Sequence, residues 1–204
     1  MKKLFFTLLL TSVSAFTVAA QAKAQAQAPD PLPAATPQPT YVRPTAEKRF
    51  KRYVKDTVGP QAWIGIVSGA AFATASNSPE EWGRSGEGFG RRVASNFGRN
   101  VVRNTVIYGL DEALKLDSTY YRSPKSGVGS RVGNALISAV TARKANGKRT
   151  VGIPRIVGTY TADVVANQFW YPARFDWKDG MKRGGISLAA NAAFNLVREF
   201  IFRK

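Results

Sequence analysis

FGRRVASNFGRNVVRNTVIYGLDEALKL, residues 89–116, is the longest periodic stretch of the chain, and its spacing decides the fold class. Phe89, Val93, Phe97 and Val101 step by four, and Val102, Val106 and Leu110 continue round a wide apolar face. That is the pattern of a helix buried on one side. Arg92, Asn96, Arg99 and Arg103 share a second, narrow face. A charged face on a long helix is expected to be solvated, or bridged to Glu80, Glu81 or Glu87 just upstream. The functional alternative is a contact surface for an anionic polymer or lipid.

The same spacing recurs on both sides. Residues 128–145 carry Val128, Val132, Ala135, Leu136, Ala139 and Val140, with Asn146-Gly147 as a natural stop. Pro154 should open a helix holding Ile156, Val157, Tyr160 and Val164, and Pro172 should close it. The last helix is expected from about Ile186 to Phe202. Upstream, Thr45 can cap a helix with Phe50, Tyr53, Val54 and Val58 on one side and Lys48, Arg49, Lys51, Arg52 and Lys55 on the other. Its basic side suits an anionic membrane; its apolar side more simply packs on the domain. Gly59-Pro60 ends it and starts the next, about 60–76, which reads as a core helix, with a membrane-inserted helix as the minority reading. No charge occurs between Asp56 and Glu80, and Gly65, Gly69 and Ala73 form a small-residue stripe that lets a second helix approach closely. Ser78-Pro79-Glu80-Glu81 has the form of a capping box opening one short helix. The branched residues of 149–161 permit a strand as a minority reading, while segments alternating over about ten residues, as a membrane barrel needs, are missing. The expectation is an all-α bundle of five or six helices forming one domain over residues 45–204.

The N-terminus predicts export. Met1-Lys2-Lys3, the uncharged apolar run Leu4–Val18 and the small residues Val18-Ala19-Ala20 and Ala20-Gln21-Ala22 have the anatomy of a signal peptide, taken as residues 1–22, with cleavage after Ala20 or Ala22. Residues 23–44, rich in Ala, Gln and Pro, read as a flexible linker.

Lys and Arg number 30 against 13 Asp and Glu, a net charge of +17. In an exported protein, nucleic acid is not the expected partner; phospholipid headgroups, lipopolysaccharide and wall polymers are, the plainer alternative being that the charge serves general solubility. The chain has neither Cys nor His, which removes the usual zinc ligands, the thiol nucleophile and the commonest general base. No cofactor or metal is expected, and an enzyme is disfavoured.

Three constellations remain as candidates. The first is an aromatic–arginine set, Asp117–Arg122 with Tyr121 and Arg122, and Trp170-Tyr171-Pro172-Ala173-Arg174. Both pieces fall where helices stop, so both could line one end of the bundle. Aromatic faces stack on sugars or sit at headgroup depth, and Arg forks bind phosphate or carboxylate. The plainer alternative is core plugging, with Arg paired to Asp117 or Asp176. The second is the glycine loop Lys125–Arg131 at a helix start, which could hold a phosphate between Lys125 and Arg131 or serve only as a turn. The third is carboxylate catalysis by Glu80 and Glu81, or by Asp111, Glu112 and Asp117. Asp163, on a core helix, must find a partner, and Arg is the obvious one.

Asn77–Gly83 followed by Gly88-Phe89-Gly90-x-Arg92, with Asp117-x-x-Tyr120-Tyr121-Arg122 and Trp170-Tyr171-Pro172, resembles a group of exported bacterial hypothetical proteins. The resemblance covers most of 58–204 and implies no activity. The function expected is non-enzymatic binding of an anionic envelope component by a periplasmic or envelope-associated protein, peripheral to a membrane. A self-assembling or partner-binding structural envelope protein, with a homo-oligomer through Gly65, Gly69 and Ala73, is the second reading; a carboxylate-dependent hydrolase of envelope material is the third.

Overall fold

A computed structural model describes residues 41–201. The signal-peptide and most of the linker assignments lie outside these residues. Six α-helices are present among them: α1 (Ala46–Val58), α2 (Pro60–Ala75), α3 (Gly86–Ala113), α4 (Val128–Val140), α5 (Ile153–Phe169) and α6 (Trp177–Phe200). The all-α class is therefore as expected. A small antiparallel sheet joins β1 (Leu116–Asp117), β2 (Thr141–Lys144) and β3 (Arg149–Val151) in that order.

The helices form a row. α2 packs on α3, α3 on α5, α5 on α6 and α6 on α4, while α1 crosses α2 and α3. Local chemistry sets the boundaries. The Thr45 side chain accepts from Lys48 N at the start of α1, and Ser85 accepts from Gly88 N at the start of α3. Asp176 and Asp179 exchange a reciprocal capping box at the start of α6. α6 therefore begins at Trp177, well before Ile186.

Two local expectations are corrected, and a third is divided. The Ser78–Glu81 capping box does not form: Glu80–Trp82 is a single 3-10 turn without a side-chain cap, and the Ser78 carbonyl accepts from Arg92 instead. Asn146-Gly147 does not stop a helix. α4 ends at Val140, and 144–148 is the turn of the β2–β3 hairpin, with Gly147 at φ 80° and its N–H on the Lys144 carbonyl. Asn-Gly serves both purposes, and here the positive φ falls in a hairpin loop. The branched stretch 149–161 divides, strand at 149–151 and helix from Ile153.

The interior is built of small and polar side chains. Ala70, Ala135, Ala139, Ala142, Ala162 and Ala166 are buried, alongside Arg92, Asn100, Asp117, Asp163, Asn167, Asn195 and Glu199. Large apolar residues lie outside in number, Ile64, Phe72, Val128, Ile186 and Phe194 among them. Close helix contact makes this possible. A Cβ on Gly158 would stand 2.6 Å from Ile107 Cγ1 and 2.9 Å from the Arg103 carbonyl, and one on Gly184 would lie 2.4 Å from the Tyr160 ring. On α2, a Cβ at Gly69 would stand 3.2 Å from Asn96 Nδ2 of α3, whereas Gly65 looks onto open space. Gly69 is thus already used inside the chain. α2 is also not the core helix expected, because of its residues only Ile66 and Ala70 are buried.

Gly158→Ala is expected to destabilise the protein by about 1–3 kcal/mol through overpacking against α3. Gly65→Ala should stabilise it by up to about 1 kcal/mol through helix propensity. Urea denaturation of both variants checks the contrast.

Candidate functional site

The arginine stripe of α3 turns inward. Arg92, 2% exposed, donates to the carbonyls of Ser78 (3.0 Å), Pro79 (2.7 Å) and Gly83 (2.6 Å), so it fastens the 78–83 turn. Asn96 Nδ2 donates to the Ile66 carbonyl at 3.1 Å. Arg99 pairs with Asp163 of α5, which is 2% exposed, and also donates to Ser187 Oγ of α6. Arg103 donates to Asn100 Oδ1 at 2.9 Å, and burial lowers its pKa. Neither the solvated face nor bridges to Glu80, Glu81 or Glu87 is realised, because the partners are backbone carbonyls and a carboxylate on another helix. The expected Arg partner for Asp163 is found.

The aromatic–arginine pieces do not share one end of the bundle. Trp170 Nε1 donates to Ser95 Oγ at 2.8 Å, in the first half of α3. Tyr171 lies against Trp82, Phe175 and the Arg183 guanidinium, and Arg174 pairs with Glu81 at 2.5 Å. Asp117 follows the far end of α3. Between Ser95 and Asp111 run about 24 Å of helix.

At that far end, two buried carboxylates grip the Tyr120-Tyr121 pair. Asp117 accepts from Tyr121 and Tyr41, both at 2.7 Å, and from Thr119 N at 2.9 Å. Burial pushes its carboxyl up, but these donors outweigh burial and hold it below its usual value. Glu199, 2% exposed, accepts from Tyr120 and from Arg131, whose guanidinium also lies over Phe200. Burial opposes its charge too, and Tyr120, Arg131 and Ser123 N prevail, leaving its pKa depressed. Arg131 is therefore engaged within the fold. Arg122 and Lys125 are exposed on the segment between β1 and α4. Tyr41 and Arg43, assigned from sequence to the linker, belong to the compact unit, since Arg43 donates to the carbonyls of Asp111 (2.9 Å) and Leu116.

Beside this cluster opens a basic cleft of about 320 Å³, lined by Lys51, Arg52, Lys55 and Asp56 of α1, Gln61 of α2, Thr119 and Arg198 of α6. The periodicity of α1 places its cations along one face, and the last turn of α6 brings Arg198 across to them. Arg52 donates to Thr119 Oγ1 and stands 3.6 Å from Asp117; Lys51 bridges Glu47 at 2.6 Å on the surface. Among the described residues no ion pair occupies Lys55 or Arg198. Asp56 is the single carboxylate in the lining, and burial raises its pKa against the pull of Arg198, Arg52 and Lys55. Guanidinium forks and ammonium groups converging here suit a phosphate-sized anion.

Of the carboxylates considered for catalysis, Glu80 is exposed on the 3-10 turn and the other four are engaged. Asp111 accepts from Ser118, Glu112 from Arg49, Glu81 from Arg174 and Asp117 from its tyrosines. Among the described residues no three acidic side chains stand together to hold a metal. Sequence spacing exposed the basic side of α1, but not its juxtaposition with Arg198, which lies far along the chain. Comparison with protein-family models, curated proteins and solved structures finds no match to this chain.

Asp163→Leu alone should cost about 3–5 kcal/mol by leaving Arg99 unpaired, and adding Arg99→Met should restore most of it. Denaturation of the single and double variants reads the coupling directly. A second expectation concerns alkali. Burial and the Glu199 carboxylate push Tyr120 up to about 12, so its contribution is complete below the unfolded value near 10 and disappears as pH rises through about 12. Stability should fall across that window, and less steeply in Tyr120→Phe.

Proposed function

We propose that this protein is a non-enzymatic, exported protein of the bacterial envelope that binds phosphate-bearing anionic surfaces through the cleft between α1 and α6. The observation that carries the proposal is the lining of that cleft: four cations line about 320 Å³ with one carboxylate, Asp56, among them. A catalytic reading draws less support, since carboxylate hydrolysis needs an acid and a base facing one space. The export assignment rests on the charged start, apolar run and small residues of 1–22. Given export, the available polyanions are lipid headgroups, lipopolysaccharide and wall polymers, which present the same phosphate chemistry.

Co-sedimentation with vesicles tests this. Binding to anionic vesicles should exceed binding to neutral ones, and the excess should collapse between about 0.05 and 0.5 M salt. Lys51→Glu combined with Lys55→Glu, both at exposed positions, should weaken the excess about tenfold or more. Equal binding to both vesicle types, or an excess indifferent to salt and to the double substitution, would refute the proposal.

A further inference from the structure

We infer that α2 is an in-plane membrane-contact helix: its outward face lies at the boundary between headgroups and acyl chains of an anionic phospholipid bilayer, while the neighbouring cleft holds lipid phosphate. The inference rests on the anionic-surface reading above and names lipid as the surface.

α2 carries no charged residue along its 16 positions. A helix without a charged face, with only Gln61, Ser68 and Thr74 interrupting its apolar surface, favours an apolar environment on more than one side. This one sits at the end of the helix row and buries only Ile66 and Ala70, leaving Ile64 67% and Phe72 76% exposed. Trp63 and Val67 are also exposed. At about 24 Å it falls short of a bilayer's hydrocarbon thickness. Among the described residues no helix is long and apolar enough to cross a membrane, so the geometry available to α2 is to lie flat.

Charge selects the occupant. Gln61 lines the basic cleft, and Gln61, Ile64, Ser68 and Phe72 follow at spacings of three, four and four. One line on α2 therefore leads from the cations straight onto the apolar surface. An anionic bilayer offers the matching pair of layers, phosphate beside hydrocarbon. A second copy offers the wrong charge, since each chain carries +17 and would bring its own cleft toward the first.

The chain contains no cysteine, so a single introduced thiol reports one position, whatever other segments do. Phe72→Cys, and Lys148→Cys on the exposed hairpin as control, are labelled with a polarity-sensitive fluorophore in the full chain. They are then mixed with anionic vesicles containing acyl-brominated lipid. The probe at 72 should be quenched at least about twofold and the probe at 148 not at all. Ile64→Glu with Phe72→Glu should lose vesicle binding yet keep salt-sensitive binding to inorganic polyphosphate. Salt-sensitive vesicle binding with the probe at 72 unquenched would overturn the membrane contact and leave the anionic-surface reading standing. Failure to bind either vesicles or polyphosphate would overturn both. A probe response at 72 that needs only higher protein concentration, without vesicles, would overturn it in favour of self-association.

Discussion

The ion pair between Arg99 and Asp163 is the constraint around which the rest of this protein is arranged. It joins α3 to α5, with Ser187 of α6 also accepting from Arg99. A buried carboxylate without a cation is costly, so α3 must present its arginine face inward and at one register. Thr159, Asp163 and Asn167 continue the polar line along α5. Arg155, half-buried and with its pKa lowered to about 10 by desolvation, donates to the Ser138 carbonyl of α4. A seam of charge and amide thus runs where a bundle of this size ordinarily keeps leucine and phenylalanine.

Two consequences follow from that seam. Polar side chains must reach their partners directly, so the helix contacts are lined with Gly and Ala and the backbones come close. Large apolar side chains are then displaced outward, which is why Ile64, Phe72, Ile186 and Phe194 face away from the core. On α2 this leaves an apolar surface with no charge of its own beside a cleft crowded with cations. The proposed lipid contact reads that pairing as complementary to the layering of an anionic membrane.

Helix identity was legible in the sequence wherever apolar residues recur at three and four, as in α3 and α5. The sharing of one face by Arg92, Asn96, Arg99 and Arg103 was equally legible; its direction was not. Charged faces usually meet water, and the carboxylate that reverses this for Arg99 lies far along the chain on another helix. For Arg92 the reversal comes from three backbone carbonyls, which leave no trace in side-chain pattern. Tyr41 and Arg43 sit among prolines without periodicity, yet dock through Asp117, Asp111 and Leu116. The cleft was half visible, as the basic side of α1. Arg198 completes it only through tertiary packing.

Amide hydrogen exchange with and without anionic vesicles tests the central claim, that an inward polar seam holds the bundle while α2 faces outward for lipid. The account predicts the slowest exchange in α3 and α5 around Arg99 and Asp163 under both conditions, and new protection at residues 60–75 when vesicles are added. Exchange at 60–75 unchanged by vesicles, or as slow as α3 in their absence, would contradict it.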